Sequence, residues 1–410
     1  MPLPKIPRVL FQGHTPSQRP ASARTDAGSA TARVVEATVQ EWAERLTHNP
    51  DGGNVFQGPA FAEHKGAFGW TPLYVVVDLD GTQVAVTVLT RSVPGFGAVW
   101  YAPKGPGTTT AAQTADAVQA MGELAKSRGA FLLKVEPELL DTVVNRTTLA
   151  HAGLEETWNV QPNGSTVILD ITPDLEAIEA GFSRGTRYNI RKARKGGAVA
   201  KVVPVTDENC EILLDLFDQT AEGRFSMRNR DYYKSMWKRH EQAGQGCFVF
   251  GYAPDPEAAQ SAVGAGSNDD GESTRDGEPA WDGEPAMTVV CCDFVMLLGN
   301  KGSRKDAASL RKQPVRGVPA LSVVESIRWL KEHGATEYDL CASPPADRIK
   351  DAEHALYGVG QFKTGFNDHV TDFVGCWDLP LNKAKYKAWT AGGEGALLRV
   401  HLKRTGENWY

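Results

Sequence analysis

The run GTRYNIRKARKGG, residues 185–197, places Arg187, Arg191, Lys192, Arg194 and Lys195 within nine residues. Five like charges on about two helical turns repel one another unless an anion shares their surface. A polyanionic partner would supply it. The same letters also suit a structural reading, because a helix dipole favours cations at the C-terminal end. The longer segment TPDLEAIEAGFSRGTRYNIRKARKGG reads as one helix, opening near Thr172 with acids in its first turns.

A second constellation is RFSMRNRDYY, in which Arg224, Arg228 and Arg230 surround Phe225 and precede Tyr232 and Tyr233. The guanidinium fork donates two parallel hydrogen bonds and so suits phosphate. A solvated loop ahead of an amphipathic helix explains the same residues. In the first half, NVFQGPAFAEHKGAFGW and WYAPKGPG set Lys65, Trp70, Tyr101 and Lys104 beside aromatic and Gly/Pro-rich turns. Near the C-terminus, YGVGQFKTGFNDHVTDFVGCWDLPLN holds Lys363 between Phe362 and Phe366, just before a strand. A lysine so placed can act as a fixed cation opposite developing negative charge, or simply cap a short helix beside Gly365.

Several chemistries lack their residues in this sequence. It has no Walker-type loop, no H-E-x-x-H, no close His/Cys cluster and no G-x-S-x-G elbow. The six cysteines lie singly or as the pair Cys291–Cys292, mostly inside apolar runs, which reads as buried reduced thiols in a cytoplasmic compartment. No stretch is apolar for the roughly 18 residues a membrane span needs.

The elements that must carry these residues alternate between helical and strand-like periodicity, which gives a mixed α/β (α+β) class. VEATVQEWAERLTHN has helical spacing, and PLYVVVDLDGTQVAVTVLTRSV reads as two strands about an Asp-Gly turn. TADAVQAMGELAKSRG then AFLLKVEP reads as helix then strand. A similar order recurs around residues 246–340, suggesting duplication at the level of fold. Residues 1–33 read as a flexible lead. Residues 254–287, with DGEPA repeated around Trp281, read as an acidic hairpin connection. That connection carries nine acids against Arg275 alone, so beneath the total of −6 the remaining chain has a net charge of about +2.

TRYNIRKARKGG, RFSMRNRDYY, YDLCAS and QFKTGFNDHVTDFVGCWDLPLN, in this order, resemble the Fem family of peptidoglycan interpeptide-bridge aminoacyltransferases, and NVFQGPAFAEHKGAFGW and YAPKGPG match its N-terminal half. The resemblance covers about residues 35–405. It implies two tandem acetyltransferase-like (GNAT-like) domains, 34–160 and 161–374, with 375–405 returning to the first. The implied reaction moves an aminoacyl group from aminoacyl-tRNA to the stem-peptide amine of a muramyl-pentapeptide precursor, nucleotide- or lipid-linked, without a cofactor. The implied substrate set is Lys65 and Arg228 on precursor phosphates, with Trp70, Tyr101, Lys104 and Arg224 around them. Lys363 with Phe362 would serve the acyl-transfer centre or the tRNA acceptor end, and Arg187, Arg191, Lys192, Arg194 and Lys195 would lie near tRNA or structure the second domain. A lipid-linked precursor would bring the enzyme to the cytoplasmic membrane face. Three other readings stay open: a tRNA-dependent ligase with another acceptor, an acyl-CoA N-acyltransferase of the same fold, and a non-catalytic tRNA- or precursor-binding protein. The acyl-CoA class uses a Q/R-x-x-G-x-G/A turn that is missing here.

Overall fold

The computed structural model describes residues 30–161, 164–221, 228–255 and 286–410. Most of the N-terminal segment expected to form a lead, most of the expected acidic connection (256–285) and Arg224 lie outside the described residues.

The chain opens with β1 (Thr31–Val35), α1 (Val39–Thr47), α2 (Pro59–Ala67), β2 (Thr71–Leu79), β3 (Thr82–Val93) and β4 (Gly97–Ala102). It continues through α3 (Ala111–Ser127), β5 (Ala130–Val135), α4 (Val143–His151) and β6 (Glu155–Thr157). Thr38 and Glu41 form a reciprocal capping box at the start of α1, which satisfies two otherwise unpaired amides. The β2–β3 hairpin turns on Asp80 and Gly81, both at positive φ, as the Asp-Gly pair predicts.

The second half begins with the short strands β7 (Ser165–Thr166) and β8 (Ile168–Asp170), then α5 (Leu175–Gly181), α6 (Arg184–Lys195), β9 (Val199–Val203), α7 (Asp207–Ala221) and α8 (Arg230–Gln242). It goes on with β10 (Gly246–Pro254), β11 (Met287–Leu298), β12 (Lys301–Ser309), α9 (Val318–Glu332), β13 (Glu337–Asp339), α10 (Tyr357–Lys363) and β14 (Thr371–Asp372). The chain closes with β15 (Cys376–Pro380), α11 (Lys383–Ala388) and α12 (Glu394–Thr405).

These strands make two large mixed sheets, in the orders β1-β2-β3-β4-β5-β15-β6 and β8-β13-β12-β11-β10-β9. β15 therefore returns across the whole second half to sit between β5 and β6. Lys134 of β5 and Asp378 of β15, both fully buried, face each other at 2.8 Å across that junction. The segment β3 84–89 is buried on both faces: Val84, Val86 and Val88 pack toward α3, while Ala85 and Leu89 join an aromatic core with Trp42, Phe61 and Trp237. That aromatic core includes Phe248 and Phe294 of the second sheet, so one hydrophobic cluster ties the two halves together. Each fully buried phenylalanine of this kind contributes about 1.5–3 kcal/mol.

The single helix expected from Thr172 to Gly197 is instead two. Asp174, not Thr172, caps α5, and the chain is extended at Phe182, which is buried against Phe366. Ser183 then caps α6 through the Thr186 amide at 3.2 Å. Burying the Phe182 ring while starting a second capped helix wins over continuing one charged helix.

Candidate functional site

In the second sheet β12 runs parallel to β13 only through Lys301↔Glu337, Gly302↔Tyr338 and Ser303↔Asp339. Beyond that point both segments line a cavity of about 620 Å³, with Arg304 and Lys305 on one segment and Cys341 and Ala342 on the other. Carbonyls that leave a sheet must find other donors. Lys363 of α10 supplies them: its Nζ donates to Cys341 O at 2.5 Å and Ala342 O at 2.7 Å. Burial is the main cause that brings the Lys363 pKa down to about 8. Cys341 stands at positive φ, its amide held by Asp339 Oδ1 at 2.6 Å.

Arg304 sits over the Phe362 ring at 5.4 Å, and its Nη2 donates to Asp293 Oδ1 at 2.5 Å. Asp293 is in turn held by Ser322 of α9. Gly317, the residue before α9, adopts φ 99°, and a Cβ there would meet the Asn189 carbonyl of α6 at 2.3 Å, so only glycine brings α6 to the cavity wall. Lys305 is the extra residue of a β-bulge between Val295↔Arg304 and Phe294↔Asp306. A bulge re-aims side chains: Arg304 points to Asp293 while Asp306 accepts from Trp237 Nε1 at 2.9 Å.

A second, smaller cavity of about 160 Å³ lies beside the first, and Lys65, Arg228, Tyr232, Lys305, Asp306 and Tyr410 contribute to its lining. Lys65 donates to Tyr232 Oη at 3.3 Å, and the Arg228 guanidinium lies 4.3 Å from the Tyr232 ring centroid. Burial first, then the Arg228 charge, hold the Lys65 pKa well below its ordinary value. An anion entering here would relieve both. Among the described residues Lys305 is the side chain that lines both cavities.

The expected site residues divide accordingly. Lys65 and Arg228 are brought together, as are Lys363 and Phe362. Trp70 is buried beside this cluster, where its Nε1 donates to Trp409 O at 3.2 Å. Tyr101 stands behind the small cavity, bonded to Glu136 and accepting from Gln161 Nε2 at 3.2 Å. Lys104 does not line it: its Nζ lies 5.3 Å from the Phe373 ring centroid. Two cations of α6 have structural work, since Arg187 donates to Ala180 O and Phe182 O at the end of α5 and Arg194 pairs with Glu179 at 2.6 Å. Arg191, Lys192 and Lys195 are exposed on that helix. Sequence reasoning missed Arg304, Lys305 and Asp306, although three successive charges inside a strand are a signal in themselves.

Residues 140–250 match the FemAB family. The chain carries a FemAB-family segment. Arg228, Tyr232 and α6 fall within this FemAB segment, whereas Lys65, Lys305 and Lys363 lie outside it. The crystal structure of FemX is similar with a TM-score of 0.69 at 18% identity, covering 87% of this chain and 99% of that one. The fold is thus that of FemX. The C-terminal domain of a putative lysylphosphatidylglycerol synthetase from Agrobacterium fabrum is more distant, with a TM-score of 0.45 at 15% identity over 88% of this chain and 98% of its own. A tandem GNAT protein from the clavulanic acid pathway has a TM-score of 0.43 at 13% identity, over 86% of this chain and 99% of its own. No curated protein sequence matches the chain. Among the described residues no helix is long and apolar enough to cross a membrane.

Proposed function

We propose that this chain is an aminoacyltransferase that moves an amino acid from aminoacyl-tRNA to the stem-peptide amine of a muramyl-pentapeptide precursor. The FemAB-family segment supports a transferase of peptidoglycan bridge formation. The observation that carries the finer reading is the pair of adjoining cavities, one built around Lys65 and Arg228 and the other around Lys363, Phe362 and Arg304. A bisubstrate reaction with no covalent enzyme intermediate needs such an arrangement, because its main task is to align two bound reactants.

In this reading Lys65 and Arg228 hold the precursor phosphates, with Trp70 and Tyr101 supporting the cavity from behind. The larger cavity takes the aminoacylated end of the donor. Lys363 fixes the Cys341–Ala342 wall, since two of its three ammonium donors are committed to carbonyls there. Arg191, Lys192 and Lys195 offer an exposed cationic face for the tRNA backbone. An aminoacyl ester is already activated, so attack by a neutral amine completes the transfer. A lipid-linked acceptor would place the enzyme at the cytoplasmic membrane surface.

The test is transfer by the purified full chain from total charged tRNA, carrying labelled amino acids, to nucleotide-linked and lipid-linked muramyl pentapeptides. Label on either precursor, lost when the donor is treated with RNase, supports the reading. Absence of label on both, or equal transfer from an acyl-CoA, refutes it.

A further inference from the structure

A third cavity, of about 280 Å³, shares Lys65 and Tyr232 with the small one, and Trp70, Arg91, Glu407 and Trp409 also line it. Glu407 is the carboxylate among its described lining residues, set against the cations Lys65 and Arg91. Its side chain is 12% exposed, and the two oxygens are used differently. Oε1 accepts from the Asn229 amide at 2.7 Å. Oε2 is buried and accepts no hydrogen bond from the described residues; the Arg228 guanidinium lies 3.9 Å away, beyond hydrogen-bond reach. A buried carboxylate oxygen left in that state is costly, so its place beside Arg228 calls for a reason other than packing. The charge also reaches Lys65: burial, then the Arg228 and Arg91 charges, hold the Lys65 pKa down, and Glu407 opposes them. Asp306, the carboxylate of the small cavity, differs because Trp237 Nε1 and Lys305 already occupy its oxygens.

From this geometry we infer that Glu407 is a specificity-determining residue of the phosphate site, a resident carboxylate that keeps single phosphates and other small anions off Lys65 and Arg228. The inference rests on the proposed role of those two cations. An anion that reaches Arg228 meets the Glu407 charge in a poorly solvated cavity, where like charges repel strongly. That cost is common to every anion, so it leaves the ratio of two affinities unchanged and sets a threshold instead. A single phosphate makes too few contacts to cross it at ordinary concentrations, whereas a diphosphate reaches Lys65 and Arg228 together. Repulsion built against the wrong ligand is a general route to selectivity.

The experiment titrates inorganic phosphate and inorganic pyrophosphate into the full chain by calorimetry, for the wild type, Glu407→Gln, Glu407→Met, Arg228→Met and Arg228→Met/Glu407→Gln. Glu407→Gln keeps an oxygen for the Asn229 amide and removes the charge. It is expected to bind both anions roughly tenfold more tightly than the wild type. KM for the muramyl precursor should fall by a similar factor, while KM for charged tRNA stays within about twofold. A residue that merely held Asn229 would act the other way, since replacing it would weaken binding. Glu407→Met gives up the Asn229 contact, should still tighten binding, and stands in if Glu407→Gln does not fold. On the Arg228→Met background Glu407→Gln should gain less than about threefold, and a full gain there would contradict the pairing. Where the wild type binds pyrophosphate, unchanged or weaker anion binding in a folded Glu407 variant overturns the inference and leaves the transfer reading intact. Absence of pyrophosphate binding in both the wild type and the Glu407 variants overturns both.

Discussion

The Arg228 guanidinium donates to the main-chain oxygen of Tyr410 at 2.5 Å, so the segment after α12 reaches the cavity that holds Lys65. Glu407 reinforces the contact by accepting from the Asn229 amide at 2.7 Å. Trp409 O accepts from Trp70 Nε1 at 3.2 Å and from Arg91 Nη1 at 2.7 Å. An anion docking on Arg228 would therefore exchange with, or sit beside, these oxygens. Trp409 is buried, with ring centroids 4.9 Å from Trp70 and 4.7 Å from Tyr410. Trp409→Ala should destabilise the fold by about 3–5 kcal/mol, read from the shift in urea midpoint. A midpoint equal to that of the wild type would show that the segment is not part of the core.

The buried pair Lys134–Asp378 joins the returning strand to the first sheet. Asp378→Ala leaves an ammonium unpaired in the interior and should cost about 3–5 kcal/mol. Lys134→Met/Asp378→Leu removes both charges and should recover most of that loss. Equal destabilisation by the single and double variants would contradict this account of the junction.

Lys363 gives a pH signature. Its folded pKa of about 8 lies below its ordinary 10.5, chiefly because of burial. Between those values the unfolded chain holds a proton that the folded chain has released, so this group makes stability rise with pH. Below about pH 8 the folded state carries the cost of the buried ammonium. The stability of the wild type relative to Lys363→Met should thus grow by roughly 2–3 kcal/mol from pH 7 to pH 10. Paired urea titrations at several pH values check it, and a constant difference would contradict it.

The α6 cations should separate by role. Replacing Arg191, Lys192 and Lys195 together by Gln should lower tRNA affinity and reduce the salt slope by about 2–3, with thermal stability unchanged. Arg187→Gln should act chiefly on stability, because it removes two bonds to the end of α5. Filter binding across a salt series, beside thermal melts, distinguishes the two.

Much of this site was legible in the sequence because its residues announce local chemistry. Lys65 precedes a Gly/aromatic turn, Arg228 sits in an arginine-aromatic run, and Lys363 lies between two phenylalanines. The Asp-Gly hairpin and the α1 cap follow from turn and cap chemistry alone. What sequence could not show depends on register. Arg304, Lys305 and Asp306 look like one solvated patch until the bulge on β12 sends them to different partners. Arg187 and Arg194 look like a free polyanion surface until the break at Phe182 folds α5 back beside them. The Glu407–Tyr410 contacts link residues about 180–340 positions apart, beyond any local pattern.

In the proposed transfer the two adjoining cavities hold different substrates. A crossed saturation experiment tests it with Arg228→Met in the small cavity and Val359→Trp, which fills space in the large one. Losing the charged Arg228 contact, worth about 1.5–3 kcal/mol, should raise KM for the muramyl precursor roughly 10- to 100-fold and leave KM for charged tRNA nearly unchanged. Val359→Trp should do the reverse. If both variants raise KM for the same substrate, the division of the site into donor and acceptor cavities is wrong.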